Sequence, residues 1–404
     1  YSEKFNLEII MIELSQEQER VVQAAVDFYH NSSEQVFQYS GKAGTGKSVV
    51  MMEIIRRLGL MPEEVAPMAY IGAAAIVLRT KGLMNAKTIH SWLFEPKWEY
   101  DYDNIDPYFN RPKRRLVFVP TPLIGKKLIC IDEAGSVPYS LKKEIESRGI
   151  KIIAAGDLNQ LPPVADRPAY LYDGKVHVLN TIMRQAQSSA IVYLADRILN
   201  NQPIHRGLYG DVNVIYEDEL HPDMFKVADI VICGRNKTRE RYNRFMRELC
   251  GIDPMLKIPA YGEQLICRKN NWLRSEHGIS LANGLTGRVI NEPSVLGVSS
   301  DSFHIDFMPN LFPSVFRDLK CDFKYFNAAY EDKDMFKSGH YRPAGELFEL
   351  GYAITTHISQ GSQFMNGIYI SEYMNKNINR NLDYVGITRF SNTCIYVLKS
   401  KKFY

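Results

Sequence analysis

Short apolar runs recur along the chain, most of them closed by small or acidic residues, and stretches of helical periodicity separate them. Val36 to Ser40, Val65 to Tyr70, Lys127 to Ile131 and Ile150 to Ala155 read as strands of an open parallel sheet, with helices over Glu19 to Tyr29 and from Val49 onward. A second series follows: strands at Asp229 to Cys233, Gly367 to Ser371 and Thr393 to Leu398, and helices over Ser188 to Leu199 and Glu240 to Cys250. Two regions break the rhythm. From 92 to 119, Trp92, Phe94, Trp98, Tyr100, Tyr102, Tyr108 and Phe109 crowd an acidic stretch that gives way to Arg111-Pro-Lys-Arg-Arg115, which predicts a small hairpin-like insertion. Further on, the turn at Asn283-Gly284, the alternation Phe303-His-Ile-Asp-Phe307 and the aromatic-rich 311 to 349 predict a small inserted β domain.

At 404 residues the chain exceeds one typical core and divides into two to four domains. Its net charge of +3 is nearly balanced, so nucleic-acid binding would need a local patch. Six cysteines without CxxC spacing read as reduced structural thiols, which argues for an intracellular chain and against a metal cluster. No run has the length of a membrane span, and the Tyr1 start leaves room for an upstream piece.

The strongest chemical signal is Gly41-Lys-Ala-Gly-Thr-Gly-Lys-Ser48, a full phosphate-loop pattern between a strand and a helix. Gly41, Ala43, Gly44, Thr45 and Gly46 would wrap backbone N–H groups round phosphate oxygens, helped by the positive end of the following helix. Lys47 would neutralise the terminal phosphates of ATP, and the Ser48 hydroxyl would ligate Mg2+. An apolar strand then ends in Asp132-Glu133, where Asp132 can hold hydrated Mg2+ and Glu133 can deprotonate the attacking water. A further strand delivers Gly156-Asp-Leu-Asn-Gln160, and Gln160 is either a γ-phosphate sensor or a turn residue before Pro162-Pro163.

Other positions admit two readings. Ser15 and Gln18 have the spacing of a capping box, while the Gln18 amide also suits the edge of adenine. Thr88-Ile-His90 is either a capped helix start or a nucleic-acid contact. The aromatics of 92 to 119 either stack on bases or pack among themselves in a solvated loop. Arg235, Lys237, Arg239, Arg241, Arg244 and Arg247 form either a phosphate track or a solvated basic helix face.

Taken in order, Gly41 to Ser48, Asp132-Glu-Ala134, Gly156 to Gln160, Thr181-Ile-Met-Arg184-Gln185, Gly351 to Ser362 and Tyr384-Val-Gly-Ile-Thr-Arg389 resemble the motifs of superfamily 1 DNA helicases, nearest the RecD-like, Dda-like branch. The resemblance covers essentially the whole chain. It implies an α/β fold of two RecA-like parallel-sheet core domains, with a small hairpin insertion in the first and an SH3-like β-barrel insertion in the second. On that pattern the first core is 1–91 plus 120–179, its hairpin 92–119, the second core 180–283 plus 350–404, and the barrel 284–349.

The same resemblance implies that Gln18 reads adenine and that Arg184 and Arg389 reach across the cleft to the transferred phosphoryl. It assigns DNA contacts to Thr88, His90, Thr356, His357, Ser359 and Gln360, and strand separation to Phe94, Trp98 or Phe109. The implied activity is ATP- and Mg2+-dependent unwinding by a monomer moving 5′-to-3′ on single-stranded DNA at single-strand/duplex junctions. Implied partners are replication or recombination proteins, with no membrane, in the cytoplasm or nucleoid or, for a phage-encoded chain, in a viral replication complex. A single-strand translocase, an RNA helicase and a nucleotide-controlled remodeller of DNA-bound proteins compete with this reading. Two departures, Gly72-Ala73 in place of Gly-Lys and Gly361-Ser-Gln363 in place of Gly-Ser-Glu, bear on DNA affinity or coupling and leave ATP hydrolysis intact.

Overall fold

The computed structural model describes residues 13–106, 109–163, 166–183, 189–295, 301–312, 314–328, 333, 336, 341–372 and 376–399. Its first sheet is six-stranded and parallel throughout, in the order Lys87–Thr88, Val65–Ala69, Leu128–Asp132, Lys151–Gly156, Val36–Gly41, Val176–Leu179. Its central strands are buried almost end to end, as expected where helices cover both faces. Helix α1 (Gln16–Asn31) presents Val21, Val22, Ala25 and Phe28 to this core, and α2 (Lys47–Arg57) presents Val50, Met51 and Ile54. These spacings are those of one helix face. Register sets Ser40 beside Gly156 and Ala69 beside Asp132, so Gly41, Asp132 and Asp157 emerge along one edge, at the carboxyl ends of the strands.

The second sheet runs Ala353–Thr355, Ile230–Cys233, Phe364–Ile370, Phe390–Leu398, Val212–Tyr216, Gly207–Tyr209, parallel except for the last. Asn243, on the helix Asn236–Leu249, accepts from Ala353 N at 2.8 Å and donates to Ala353 O at 3.1 Å, pinning the edge strand as a neighbouring strand would.

A third, antiparallel sheet orders Phe316–Asp322, Ser302–Pro309, Thr286–Val289, Gln264–Cys267, Phe348–Leu350. A bridge between Cys321 and Glu346 brings its two edges together and closes it into a small barrel. This corrects the expected start at 284. Gln264–Cys267 falls inside the range expected for the second core, yet it pairs with Thr286–Val289 across a side hairpin and the turn at Gly284 (φ 85°), so the barrel begins some twenty residues earlier. Its side hairpin, Asn271–Glu276 with Ile279–Leu281, packs against α3 (Gly72–Thr80). A Cβ on Gly72, the residue before the departing Ala73, would sit 3.0 Å from Ala282 Cβ, so this glycine serves a close approach of helix to barrel.

The strands Phe94–Asp106 and Arg111–Pro120 pair antiparallel as a long hairpin, broken by an irregularity between Asp101 and Ile105. Trp98, Tyr100, Tyr102 and Phe109 on it are exposed. Of the cysteines, Cys250 is exposed and the other five are buried and free, as expected of structural thiols. Among the described residues no helix is long and apolar enough to cross a membrane.

The basic helix Asn236–Leu249 departs from the phosphate-track reading. Arg239 and Arg247 point inward, Arg239 to Glu349 and Arg247 in a paired contact at 2.8 Å to both oxygens of Glu263. Arg241 binds Glu217 at 2.6 Å. Three of the six charges therefore tie the second core to its barrel and neighbouring turn. Sequence could not reveal this, because the carboxylate partners of the two buried arginines come from other elements.

Candidate active site

The phosphate loop turns back on itself through Gly44 (φ 80°) and Gly46 (φ 78°), left-handed positions that a side chain would strain. Gly46 N-caps α2 without a side-chain bond, which leaves the first-turn N–H groups facing the cleft. Thr45 is buried and donates to Lys42 O at 2.9 Å. Lys47 is folded back, its ammonium 2.7 Å from Gly41 O and 3.3 Å from Lys42 O.

Gln18 fills its capping role. Its side chain accepts from Ser15 N at 2.9 Å and donates to Thr45 O at 2.9 Å, and the residue is buried. A Cβ on Gly46 would lie 2.4 Å from Gln18 Nε2, so this glutamine braces the phosphate loop from behind. The amide of Gln18 is thereby committed to backbone, and adenine reading by it would require those bonds to exchange.

Asp132 ends its strand half-buried beside Glu133, and desolvation, followed by the Glu133 charge, pushes its carboxyl above the ordinary range. Lys81 and Lys47 oppose that rise. Glu133 sits at φ 50°, ψ 40°, a left-handed conformation rare for a glutamate, and its N–H donates to Asp132 Oδ1 at 3.0 Å. Both carboxylates line one cleft.

That cleft has a volume of about 320 Å³ and is lined by Lys47, Ser48, Asp132, Glu133 and Gln160 from the first core and by Gln363, Thr388 and Arg389 from the second. Arg389 is buried, with its guanidinium 3.8 Å from Glu133 Oε1. Three further contacts cross the cleft: Lys42 to Asp196 at 2.8 Å, Gln360 Nε2 to Leu161 O at 2.8 Å, and the Tyr384 hydroxyl between Ala43 N and Asp157. Arg184 lies outside the described residues.

The donor set fits Mg2+. Ser48 Oγ and the Asp132 carboxyl are hard oxygen donors at one place, and a cation already stands there, since Lys81 Nζ donates to Ser48 Oγ at 3.0 Å.

The nucleic-acid residues expected from sequence divide. Thr88 is buried and caps its helix, accepting from Ser91 N at 3.2 Å. Thr356 donates to Cys233 O and Ser359 to Thr356 O, both within the fold. These three hydroxyls are committed inward. His357 is exposed, and His90 stacks on Trp272 of the barrel's side hairpin, ring centroids 4.9 Å apart. Among the aromatics, Phe94 packs at the hairpin base against Phe118, whereas Trp98 is 55% and Phe109 68% exposed. Phe94 is therefore a foundation of the hairpin and not its edge.

Sequence reasoning gave no role to Lys81, Lys42, Tyr384 or Trp272. Tyr384 stood inside a quoted motif, and its place five residues before Arg389 was the available signal. Lys42 likewise stood inside the phosphate-loop motif, whereas Lys81 and Trp272 carry no such signal in their local sequence.

Residues 13–217 match a family model described as an AAA domain. The chain is 32% identical over 168 residues to the ATP-dependent DNA helicase RRM3 of Saccharomyces cerevisiae, covering 38% of this chain and 21% of that protein. It is 33% identical over 161 residues to the ATP-dependent DNA helicase Pif1 of Bdellovibrio bacteriovorus, covering 38% of this chain and 34% of that one. The chain thus spans about a third or less of the length of these curated relatives. In fold it is similar to Pif1 from Bacteroides in complex with ADP-AlF3 and ssDNA, with a TM-score of 0.54 at 17% identity over 95% of this chain and 92% of that one. Pif1 helicase from Candida albicans gives 0.52 at 18% identity over 98% and 95%. These matches bear out the superfamily 1 resemblance and the α/β fold class with its two parallel-sheet cores.

Proposed function

Since the chain belongs to the AAA-domain family, matching it over residues 13–217, we propose that it is an ATP-dependent motor that moves 5′-to-3′ on single-stranded DNA and separates duplexes. The observation that carries this reading is Arg389 of the second core lying 3.8 Å from Glu133 of the first, across a cleft that also holds the phosphate loop. An ATPase whose site is shared between two bodies couples hydrolysis to their relative motion. The relatives named as ATP-dependent DNA helicases support the choice of DNA as the track.

In this mechanism the loop N–H groups and Lys47 hold the β- and γ-phosphates. Lys47 must leave the carbonyls of Gly41 and Lys42 to do so. Ser48 and Asp132 would hold Mg2+, which supplies charge neutralisation at the phosphates when bound. Glu133 takes the proton of the attacking water, and Gln160 orients that water against the γ-phosphate. Arg389 moves from Glu133 to the transferred phosphoryl, a better partner for a guanidinium than a carboxylate at 3.8 Å. Loss of that phosphoryl then weakens the grip between cores and lets them part. The hairpin would divide the strands, a role that the exposure of Trp98 and Phe109 supports.

Single-turnover unwinding of duplexes with either a 5′ or a 3′ single-stranded tail, with Glu133→Gln as the hydrolysis control, tests this. Unwinding confined to the 5′-tailed duplex is expected. Unwinding from the 3′ tail alone would overturn the polarity, and DNA-stimulated ATP turnover without unwinding from either tail would leave a translocase or remodeller.

A further inference from the structure

Lys81 follows α3 in a tight cap. Its N–H bonds back to Val77 and Leu78, Gly82 (φ 105°) bonds Arg79, and Leu83 N returns to Leu78 O at 3.1 Å, so the backbone that launches the side chain is fixed. The side chain borders both the nucleotide cleft and a small apolar niche beside it, between Met52, Leu78 and Leu83. From there the ammonium reaches Ser48 Oγ at 3.0 Å, 33 residues away in sequence.

A neutral hydroxyl is a poor reason for a solvated lysine to enter a cleft. The attraction lies behind it, where Asp132 and Glu133 place two carboxylates side by side, Asp132 lining the same cleft and niche as Lys81 and Ser48. Of the other cations close by, Lys47 spends donors on the carbonyls of Gly41 and Lys42, and Arg389 lies 3.8 Å from Glu133, which leaves Asp132 to Lys81. The ammonium of Lys81 therefore lies at the hydroxyl and beside the carboxylate that would together hold the divalent cation.

We propose that Lys81 is a built-in placeholder for that cation: it holds Ser48 and screens Asp132 while the cleft is empty of nucleotide, and it swings out when the metal–nucleotide enters. Lysine suits the task because its long stem is exposed and free to leave, and its compact charge resembles that of a hydrated ion. The Asp132 carboxylate is thus screened while Arg389 stands beside Glu133, and the metal must displace a resident charge. This inference rests on the ATPase reading above.

The test is binding of a fluorescent ADP analogue, titrated against Mg2+ and repeated in EDTA, for the whole chain and for Lys81→Ala and Lys81→Arg. With the placeholder removed, Lys81→Ala should need about threefold less Mg2+ for half-maximal binding, the change expected if the site is open about a third of the time in the native chain. Binding in EDTA should be unchanged, and Lys81→Arg should restore the native Mg2+ requirement. An unchanged Mg2+ requirement in Lys81→Ala would overturn the proposal in favour of a solvated surface lysine. Weakened binding in EDTA would overturn it in favour of a direct phosphate ligand. A native chain that binds no nucleotide under any condition would instead overturn the ATPase reading itself, and this inference with it.

Discussion

The Tyr384 hydroxyl accepts a hydrogen bond from the backbone N–H of Ala43 at 2.8 Å and donates its own proton to the buried carboxylate of Asp157. One phenol of the second core thus joins the phosphate loop to the residue after the strand Lys151–Gly156. Burial raises the phenol's pKa well above the ordinary value, and the Asp157 charge adds to the rise, so the hydroxyl stays protonated as the donor this contact requires. The N–H it occupies belongs to the loop that would wrap the phosphates, so nucleotide arrival and the grip between cores compete for one donor.

Tyr384→Phe keeps the ring and removes the bridge, leaving a buried Asp157 oxygen without its donor. A loss of about 1–3 kcal/mol in stability is expected from an orphaned buried group. The more specific outcome is a smaller stimulation of ATP turnover by single-stranded DNA, with basal turnover falling less, measured as the ratio of the two rates.

Glu133→Gln retains shape and loses the base. ATP turnover should fall by about 10²–10⁴-fold, the usual range for removal of a general base, while binding of a fluorescent ATP analogue is preserved. Arg389→Ala should lower turnover by about 10³–10⁵-fold if the guanidinium stabilises the transferred phosphoryl. A change under tenfold in Arg389→Ala would assign that residue to holding Glu133 alone.

Trp98→Ala and Phe109→Ala, at exposed positions of the hairpin, should reduce unwinding while leaving DNA-stimulated ATP turnover within about twofold. Phe94→Ala at its base should instead lower thermal stability, because Phe94 packs on Phe118 and the first core. Truncating a buried phenylalanine costs about 3–5 kcal/mol, and Phe94, being half-buried, should fall below that range.

Arg247→Met leaves Glu263, which is 0% exposed, without its charged partner. Destabilisation of about 3–5 kcal/mol is expected in urea unfolding. The salt dependence of DNA binding by the folded variant should match that of the native chain, as an inward arginine releases no phosphate counterions.

Burial holds the His90 imidazole below its ordinary 6.5, and its Nδ1 is buried without a hydrogen-bond partner. The unfolded chain protonates near 6.5 and the folded chain resists until lower pH. In that window the unfolded state binds more protons, so this contribution to stability is complete above pH 6.5 and declines as pH falls below it. His90→Gln should therefore lose less stability than the native chain when urea unfolding is compared above and below that pH.

The phosphate loop, Asp132-Glu133 and the strands that deliver them were legible because their chemistry is local: eight consecutive residues fix one anion cradle, and a strand end fixes two carboxylates. The capping box of Ser15 and Gln18 was legible for the same reason, as it closes within one helical turn. The register of the inserted barrel was not, since Gln264-Leu-Ile-Cys267 carries an apolar pattern compatible with either sheet and its partner strand alone decides. The basic helix misled because charge in sequence does not reveal the carboxylate that meets it, as Glu263 meets Arg247 and Glu349 meets Arg239.

By itself, then, the sequence determined that the chain carries a full phosphate-loop pattern between a strand and a helix, that a second strand ends in two acidic residues, and that two α/β series flank a hairpin and a small β insertion. Tertiary structure decided which side chains occupy the cleft together. Tyr384 meets Ala43 across 341 positions and Lys81 meets Ser48 across 33. Such pairs depend on how sheets twist and cores dock, which set the distance between side chains whose local sequences carry no trace of one another.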